Sequence, residues 1–136
     1  MTSKVRTGSL RERETSTSRP VQLEQASPTI ASSPHLLELV AQRVRIIGEP
    51  SRIRLLLLIE QRRASGQELC DELLLSHQSV SRHLSVMHGQ GILTREREGS
   101  RAYYAISEYT ALRIIHLATA STASYIEELA ELAQLA

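Results

Sequence analysis

Residues 75 to 93, "LSHQSVSRHLSVMHGQGIL", decide how the chain is read. Val80, Leu84 and Met87 recur at i, i+4 and i+7, the spacing of one apolar stripe on a short helix. The opposite side carries Gln78, Ser81, Arg82 and Ser85. These are short or planar donors and acceptors suited to base edges and phosphates, with no Asp or Glu among them. Taken alone, the segment is equally readable as an ordinary solvated helix face. Ser76 stands where an N-cap is needed, and Gly91 fits the left-handed position that closes a helix.

The flanks favour the first reading. Upstream, "SGQELCDELLL" (65–75) opens with Ser65 followed three residues later by Glu68, the signature of a capping box. Leu69 and Leu73 face inward on that helix, with Leu74 a candidate third. Two short capped helices joined by one turn make a helix-turn-helix. Downstream, "ILTREREGSRAYYAI" (92–106) reads as strands over 92–97 and 101–106 with a bend at Glu98, Gly99 and Ser100. Gly99 supplies the positive φ of a tight hairpin, whose arms carry Arg95, Arg97 and Arg101. A groove-entering helix beside a basic hairpin is the winged helix-turn-helix layout.

Two helices precede this unit. Leu36, Leu37, Val40, Val44 and Ile47 follow helical spacing up to Gly48. In "GEPSRIRLLLLIE" (48–60), Pro50 suits a first helical turn, and Leu55 to Ile59 are apolar all round, which predicts the buried centre. A buried strand competes for so short a run, but the neighbouring arginines and the proline favour helix. After Ser107, read as an N-cap, one long helix fills the rest of the chain. Leu112, Ile115, Thr119, Thr122, Ile126, Leu129 and Ala133 follow in steps of three and four. That seam is small in its middle and predicts pairing of two copies through residues 107–135. The expected fold is mainly α with a small β-hairpin: four helices, the hairpin, then a fifth helix. Residues 34–136 form this DNA-binding and dimerisation domain, and residues 1–33 a disordered, basic, Ser/Thr-rich tail without apolar periodicity.

Composition agrees with one domain. The chain has 136 residues, 41% of them hydrophobic, and no Trp or Phe, so its core must be aliphatic. No apolar run reaches membrane-span length and no secretory h-region appears. A single cysteine excludes an internal disulfide and fits a reducing, cytoplasmic setting. The formal charge is only +1, but its distribution is uneven. Arg82, Arg95, Arg97 and Arg101 oppose Glu96 and Glu98 in the helix-and-hairpin segment, while Glu108, Glu127, Glu128 and Glu131 oppose Arg113 afterwards. The basic excess falls on the proposed reading surface.

"GEPSRIRLLLLI", "ELCDELLLSHQSVSRHLSVMHGQGIL" and "REREGSRAYYAI" resemble the signature stretches of ArsR/SmtB-type bacterial transcriptional regulators, without a gap over roughly residues 36 to 118. The resemblance implies a homodimer held by the terminal helices. It also implies a repressor that leaves a near-palindromic operator when an inducer binds. The family's Cys-x-Cys metal positions fall on Ser65 and Gln67, and neither is a soft ligand. At the family's terminal-helix site, Ile114 replaces the expected Asp, leaving His116 and Glu127 or Glu128. Zinc wants three or four ligands, so no metal and no cofactor is expected. Cys70, alone in the third helix, reads as small core filler.

The residues expected to contact double-stranded operator DNA are Gln78, Ser79, Ser81 and Arg82, with His83 pointing partly inward, plus Arg97 and Arg101 in the wing. No membrane contact is expected. The histidines at 35, 77, 83, 88 and 116 show no spacing that pairs one with a nucleophile or carboxylate, and no Gly-rich phosphate loop appears, so an enzyme is not expected. Two alternatives stand beside this reading. One is a thiol- or metal-responsive member using Cys70 or His116. The other is a helical dimerisation or protein-interaction module, which leaves Gln78, Arg82 and the arginine-bearing hairpin without a purpose.

Overall fold

In a computed structural model that describes residues 33–135, each of the first four helix starts has a local chemical cause. Helix α1 (Pro34–Ile47) begins where the Ser33 hydroxyl accepts the Leu36 N–H and Pro34 fills a position needing no donor. Helix α2 (Pro50–Gln61) repeats the device, with the Glu49 carboxylate accepting the Arg52 N–H at 2.9 Å. A two-residue strand β1 (Ala64–Ser65) then leads into α3 (Gly66–Leu73). There the capping box is formed: Ser65 Oγ accepts from Glu68 N at 3.2 Å, and the Glu68 carboxylate accepts from Ser65 N at 3.3 Å. Ser76 caps α4 (His77–Gly89) through the Ser79 N–H at 3.1 Å.

The end of α4 explains the Gly-x-Gly. Gly91 has φ +72, its N–H reaches the His88 carbonyl, and Ile92 N–H reaches the Met87 carbonyl, both at 3.0 Å. This pair of bonds closes a Schellman motif, which needs a left-handed residue at that point. The chain is thereby turned into strand β2 (Leu93–Glu98), which pairs antiparallel with β3 (Arg101–Ile106). Glu98 lies opposite Arg101, so the loop is Gly99–Ser100 with Gly99 at φ +62. Helix α5 (Thr110–Gln134) follows.

Three details differ from the sequence reading. The hairpin is part of a three-stranded sheet of order β1-β3-β2, because Ala64 and Ser65 pair with Tyr104 and Tyr103. The terminal helix starts at Thr110 rather than after Ser107. The Ser107 and Glu108 N–H groups both point to the Ile92 carbonyl and close the base of the wing, so Ser107 caps nothing. Leu74 is not inward: it ends α3 in the left-handed region at φ 54 and is 91% exposed. Of the tail expected over residues 1–33, residues 1–32 lie outside the described residues, while Ser33 belongs instead to the α1 cap.

The core forms where α2, α3, α4, the wing base and the start of α5 meet. Leu55 and Leu56 of α2 are fully buried against Leu69, Val80, Leu84, Met87 and Ile92. Each such side chain contributes about 1.5–3 kcal/mol by leaving water, and trimming Leu55 or Leu56 to Ala costs about 2–5 kcal/mol. The core is aliphatic as the composition requires. Helix α1 buries only Ile47, and α5 only Ala111, Leu112 and Ile115. Among the described residues no helix is long and apolar enough to cross a membrane.

Candidate nucleic-acid interface

Burial sorts the residues of α4 as the helical projection predicts. Val80, Leu84 and Met87 are at most 1% exposed, whereas Gln78, Ser81, Arg82 and Ser85 are all exposed. The apolar stripe anchors the helix on α2 and α3, and the anchoring turns the polar stripe outward. Ser79 is half-buried, its N–H held by Ser76 Oγ. No ion pair engages Arg82 among the described residues.

His83 is placed differently from its neighbours. Its side chain is 15% exposed, and Nδ1 accepts the Arg52 Nε–H at 3.2 Å with the Glu49 carboxylate 3.8 Å away. An accepting Nδ1 puts the ring proton of a neutral imidazole on Nε2. Arg52 also donates to the Ile46 carbonyl at 3.1 Å, so His83 ties α4 to the α1–α2 junction. Burial works to raise the Glu49 pKa. The N–H groups of Arg52 and Ser51 and the nearby Arg52 guanidinium outweigh it, holding the carboxyl below its ordinary range.

The wing separates its charges by strand alternation. Arg95 and Arg97 lie opposite Tyr104 and Ala102, on the face that leads to buried Leu93. Glu96, Glu98 and Arg101 share the other face with Tyr103. Arg97 and Arg101 therefore flank the tip on opposite faces and do not form one patch. On the acidic face, Arg63 Nη2 donates to Glu98 at 2.6 Å, its Nη1 lies 3.7 Å from Glu96, and its guanidinium sits 4.7 Å above the Tyr103 ring. The Glu98 hydrogen bond raises the Arg63 pKa further. One guanidinium from outside the hairpin thus pairs with both wing carboxylates, and Arg95, Arg97 and Arg101 form no ion pair among the described residues. Sequence reasoning missed Arg63 because its partners lie more than thirty positions away. Between the start of α3, α4 and the wing runs a cleft of about 260 Å³, bordered by Gln67, His77, Ser81 and Arg101.

The candidate sensing groups are engaged locally. Cys70 is buried, and its Sγ lies 3.4 Å from His77 Nδ1. Burial, and then the neighbouring Asp71 charge, push its thiol pKa up, which is the wrong direction for a reactive thiolate. His116 Nε2 meets the Glu60 carboxylate at 2.9 and 3.1 Å. Among the described residues, no group of three or more His, Cys, Asp or Glu side chains is placed to hold a metal ion.

Comparison with known proteins matches this geometry. A MarR family model matches residues 49–102, from the α2 cap to the start of β3, leaving α1 and α5 unmatched. The HTH-type transcriptional repressor SmtB of Mycobacterium tuberculosis is 27% identical over 90 residues, which is 65% of this chain and 67% of that protein. The HTH-type transcriptional regulator Rv0081 of the same species is 32% identical over 73 residues, 53% of this chain and 64% of its own. The crystal structure of Rv0081 superposes with a TM-score of 0.64 at 26% identity, covering 71% of this chain and 97% of that one. The homodimeric winged helix-turn-helix DNA-binding domain of Mb0332 from Mycobacterium bovis, a possible ArsR-family transcriptional regulator, gives 0.62 at 22% identity, covering 75% and 92%. The chain thus has a winged helix-turn-helix fold, and in sequence it is similar to transcriptional regulators of the ArsR/SmtB type.

Proposed function

We propose that the protein is a sequence-specific, homodimeric regulator of transcription that reads double-stranded DNA with α4 and holds it with the wing. One observation carries this reading: the fully buried Val80–Leu84–Met87 stripe forces Gln78, Ser81 and Arg82 outward, free of ion pairs among the described residues. Gln and Arg on a helix can make bidentate bonds to adenine and guanine edges in a major groove, and serines suit phosphates. Ser79, half-buried, sits at the edge of that set. His83 contributes by orienting α4 through Arg52 rather than by touching a base. Arg97 and Arg101, one on each face of the wing tip, suit the two phosphate walls of a minor groove.

Pairing of two copies is supported by what α1 and α5 leave uncovered. A groove of about 520 Å³ runs between them, lined by Val44, Ile47, Ile114, Ala118, Thr122 and Ile126. The Thr119 and Thr122 hydroxyls are turned back onto the carbonyls of Ile115 and Ala118, so the groove presents an apolar wall. From Leu117 to Leu135, α5 keeps Tyr125, Ile126, Leu129 and Leu132 46–62% exposed. A second copy covers this surface and doubles the DNA contact by two-fold symmetry. SmtB is named a repressor and Mb0332 is described as homodimeric, which favours a dimeric repressor released by an inducer. The test is a mobility-shift competition between a selected duplex and random duplex. Gln78→Ala and Arg82→Ala should each weaken the selected complex by about 1–3 kcal/mol. Unchanged affinity in both variants refutes the assignment, and equal competition by random duplex leaves a protein-interaction module as the better reading.

A further inference from the structure

We propose that Arg43 is a positioning residue that fixes the angle of α4 relative to the α1–α5 scaffold and thereby sets the half-site spacing the dimer accepts; the inference rests on α4 being the DNA-reading helix. Arg43 lies on α1, yet its Nη1 donates to the Gln90 carbonyl at 3.1 Å, at the point where α4 ends. Its Nη2 pairs with the Glu108 carboxylate, just before α5 begins. Glu108 is itself fixed, since the Ser107 and Glu108 N–H groups both donate to the Ile92 carbonyl. One guanidinium therefore spans the exit from α4 and the entry to α5. Among the described residues no other α1 side chain bonds to either place.

The geometry gives this contact leverage. Helix α4 has a second polar hold on its back, the Arg52–His83 bond, seven residues before Gln90. At 1.5 Å per residue the two holds lie about 10 Å apart. The buried Val80–Leu84–Met87 stripe seats α4 on α2 and α3, and the two polar holds fix its angle to the α1–α5 scaffold. Swinging α4 by about 10° around His83 moves the backbone at Gln78, five residues away, by about 1.3 Å. A shift of that size takes a base-reading side chain outside productive geometry. Helix α1 is also lightly attached to its own domain. It buries only Ile47, while Leu37, Leu39, Val40 and Val44 stay 41–52% exposed. Its position therefore depends on what covers its apolar side, and Arg43 passes that position to the end of α4.

The experiment uses the full-length protein and three duplexes: one obtained by selection from a random pool, and two with the half-site separation lengthened or shortened by one base pair. Wild type should lose about tenfold in affinity on each altered spacing, in the range of a single site defect. Arg43→Met keeps the methylenes and removes both donors. It should bind the selected duplex several-fold more weakly and discriminate among the three spacings by less than about threefold. Its affinity for an isolated half-site should match wild type. A merely structural contribution lowers all three affinities by one factor and leaves their ratios intact, which overturns the proposal. Should Arg43→Met fail to dimerise, Glu108→Met, which removes one of the two acceptors, must show an intermediate loss of spacing discrimination, and wild-type ratios there overturn the proposal equally. Wild type with no preference among sequences sinks the DNA-reading assignment and this inference together.

Discussion

Replacing Ile126 by Ala tests the proposed pairing surface with a magnitude taken from the structure. Ile126 lines the α1–α5 groove and is 59% exposed in one copy. Complete burial of an isoleucine is worth about 1.5–3 kcal/mol, so covering the remaining surface contributes about 0.9–1.8 kcal/mol per copy. Two-fold symmetry counts the residue twice, giving about 1.8–3.5 kcal/mol per dimer. At 1.4 kcal/mol per factor of ten, the dimer dissociation constant should rise by about 20- to 300-fold. Alanine retains one carbon of the side chain, which places the expectation in the lower half of that range. Sedimentation equilibrium across a dilution series reads the constant directly. Because the side chain makes little contact within its own copy, the circular-dichroism spectrum should not change. An unchanged constant with an unchanged spectrum refutes the reasoning and removes this face of α5 from the interface.

Other outcomes follow from the same geometry. Changing Arg97 and Arg101 together to Ala should weaken binding to every duplex and flatten the salt dependence by up to about two units, roughly one per lost phosphate contact; an unchanged slope with lost sequence preference means the wing reads bases. Leu74→Gly should raise the urea midpoint, because relieving a left-handed leucine returns about 1–2 kcal/mol. The greater freedom of an unfolded glycine offsets about 0.5–1 kcal/mol of that gain, and a side chain 91% exposed gives up no packing. A lower midpoint contradicts the strain assignment. Cys70, with its thiol pKa raised by burial and by Asp71, should alkylate more slowly than free cysteine at pH 7–8. Its rate should keep climbing above the pH, near 8.5, at which free cysteine is half ionised. Cys70→Ser should leave DNA binding and release intact while costing about 1 kcal/mol of stability. A thiol oxidant that frees wild type from DNA but spares Cys70→Ser contradicts that account.

The sequence was most legible where one local rule decides a position. Ser65 with Glu68, Ser76, Gly91 and Gly99 each mark a cap or turn whose chemistry needs that residue type, and all four sit as read. It was least legible where a distant group takes over. Ala64–Ser65 is too short to show a strand period and becomes one only because Tyr103 and Tyr104 lie alongside. Ser107 has the right side chain for a cap, but its N–H and that of Glu108 are claimed by Ile92, fifteen and sixteen positions earlier. Leu74 extends an apolar run, yet the turn between α3 and α4 must reverse the chain there and throws it outward. At the candidate interface, periodicity put Gln78, Ser81 and Arg82 on the exposed side of α4. The Arg52–His83, Arg63–Glu98 and Arg43–Gln90 links join segments 31 to 47 residues apart and leave no local signal.

The central claim, that α4 reads a duplex as part of a symmetric pair, is tested most directly by selecting binders from a pool of random duplexes with the purified full-length protein. The account predicts enrichment of an inverted repeat whose half-sites lie about one helical turn, or a multiple of it, apart. The same selection with Gln78→Ala or Arg82→Ala should lose base preference at one symmetric pair of positions. A pool that emerges without sequence preference, or retains the same repeat in both variants, contradicts it.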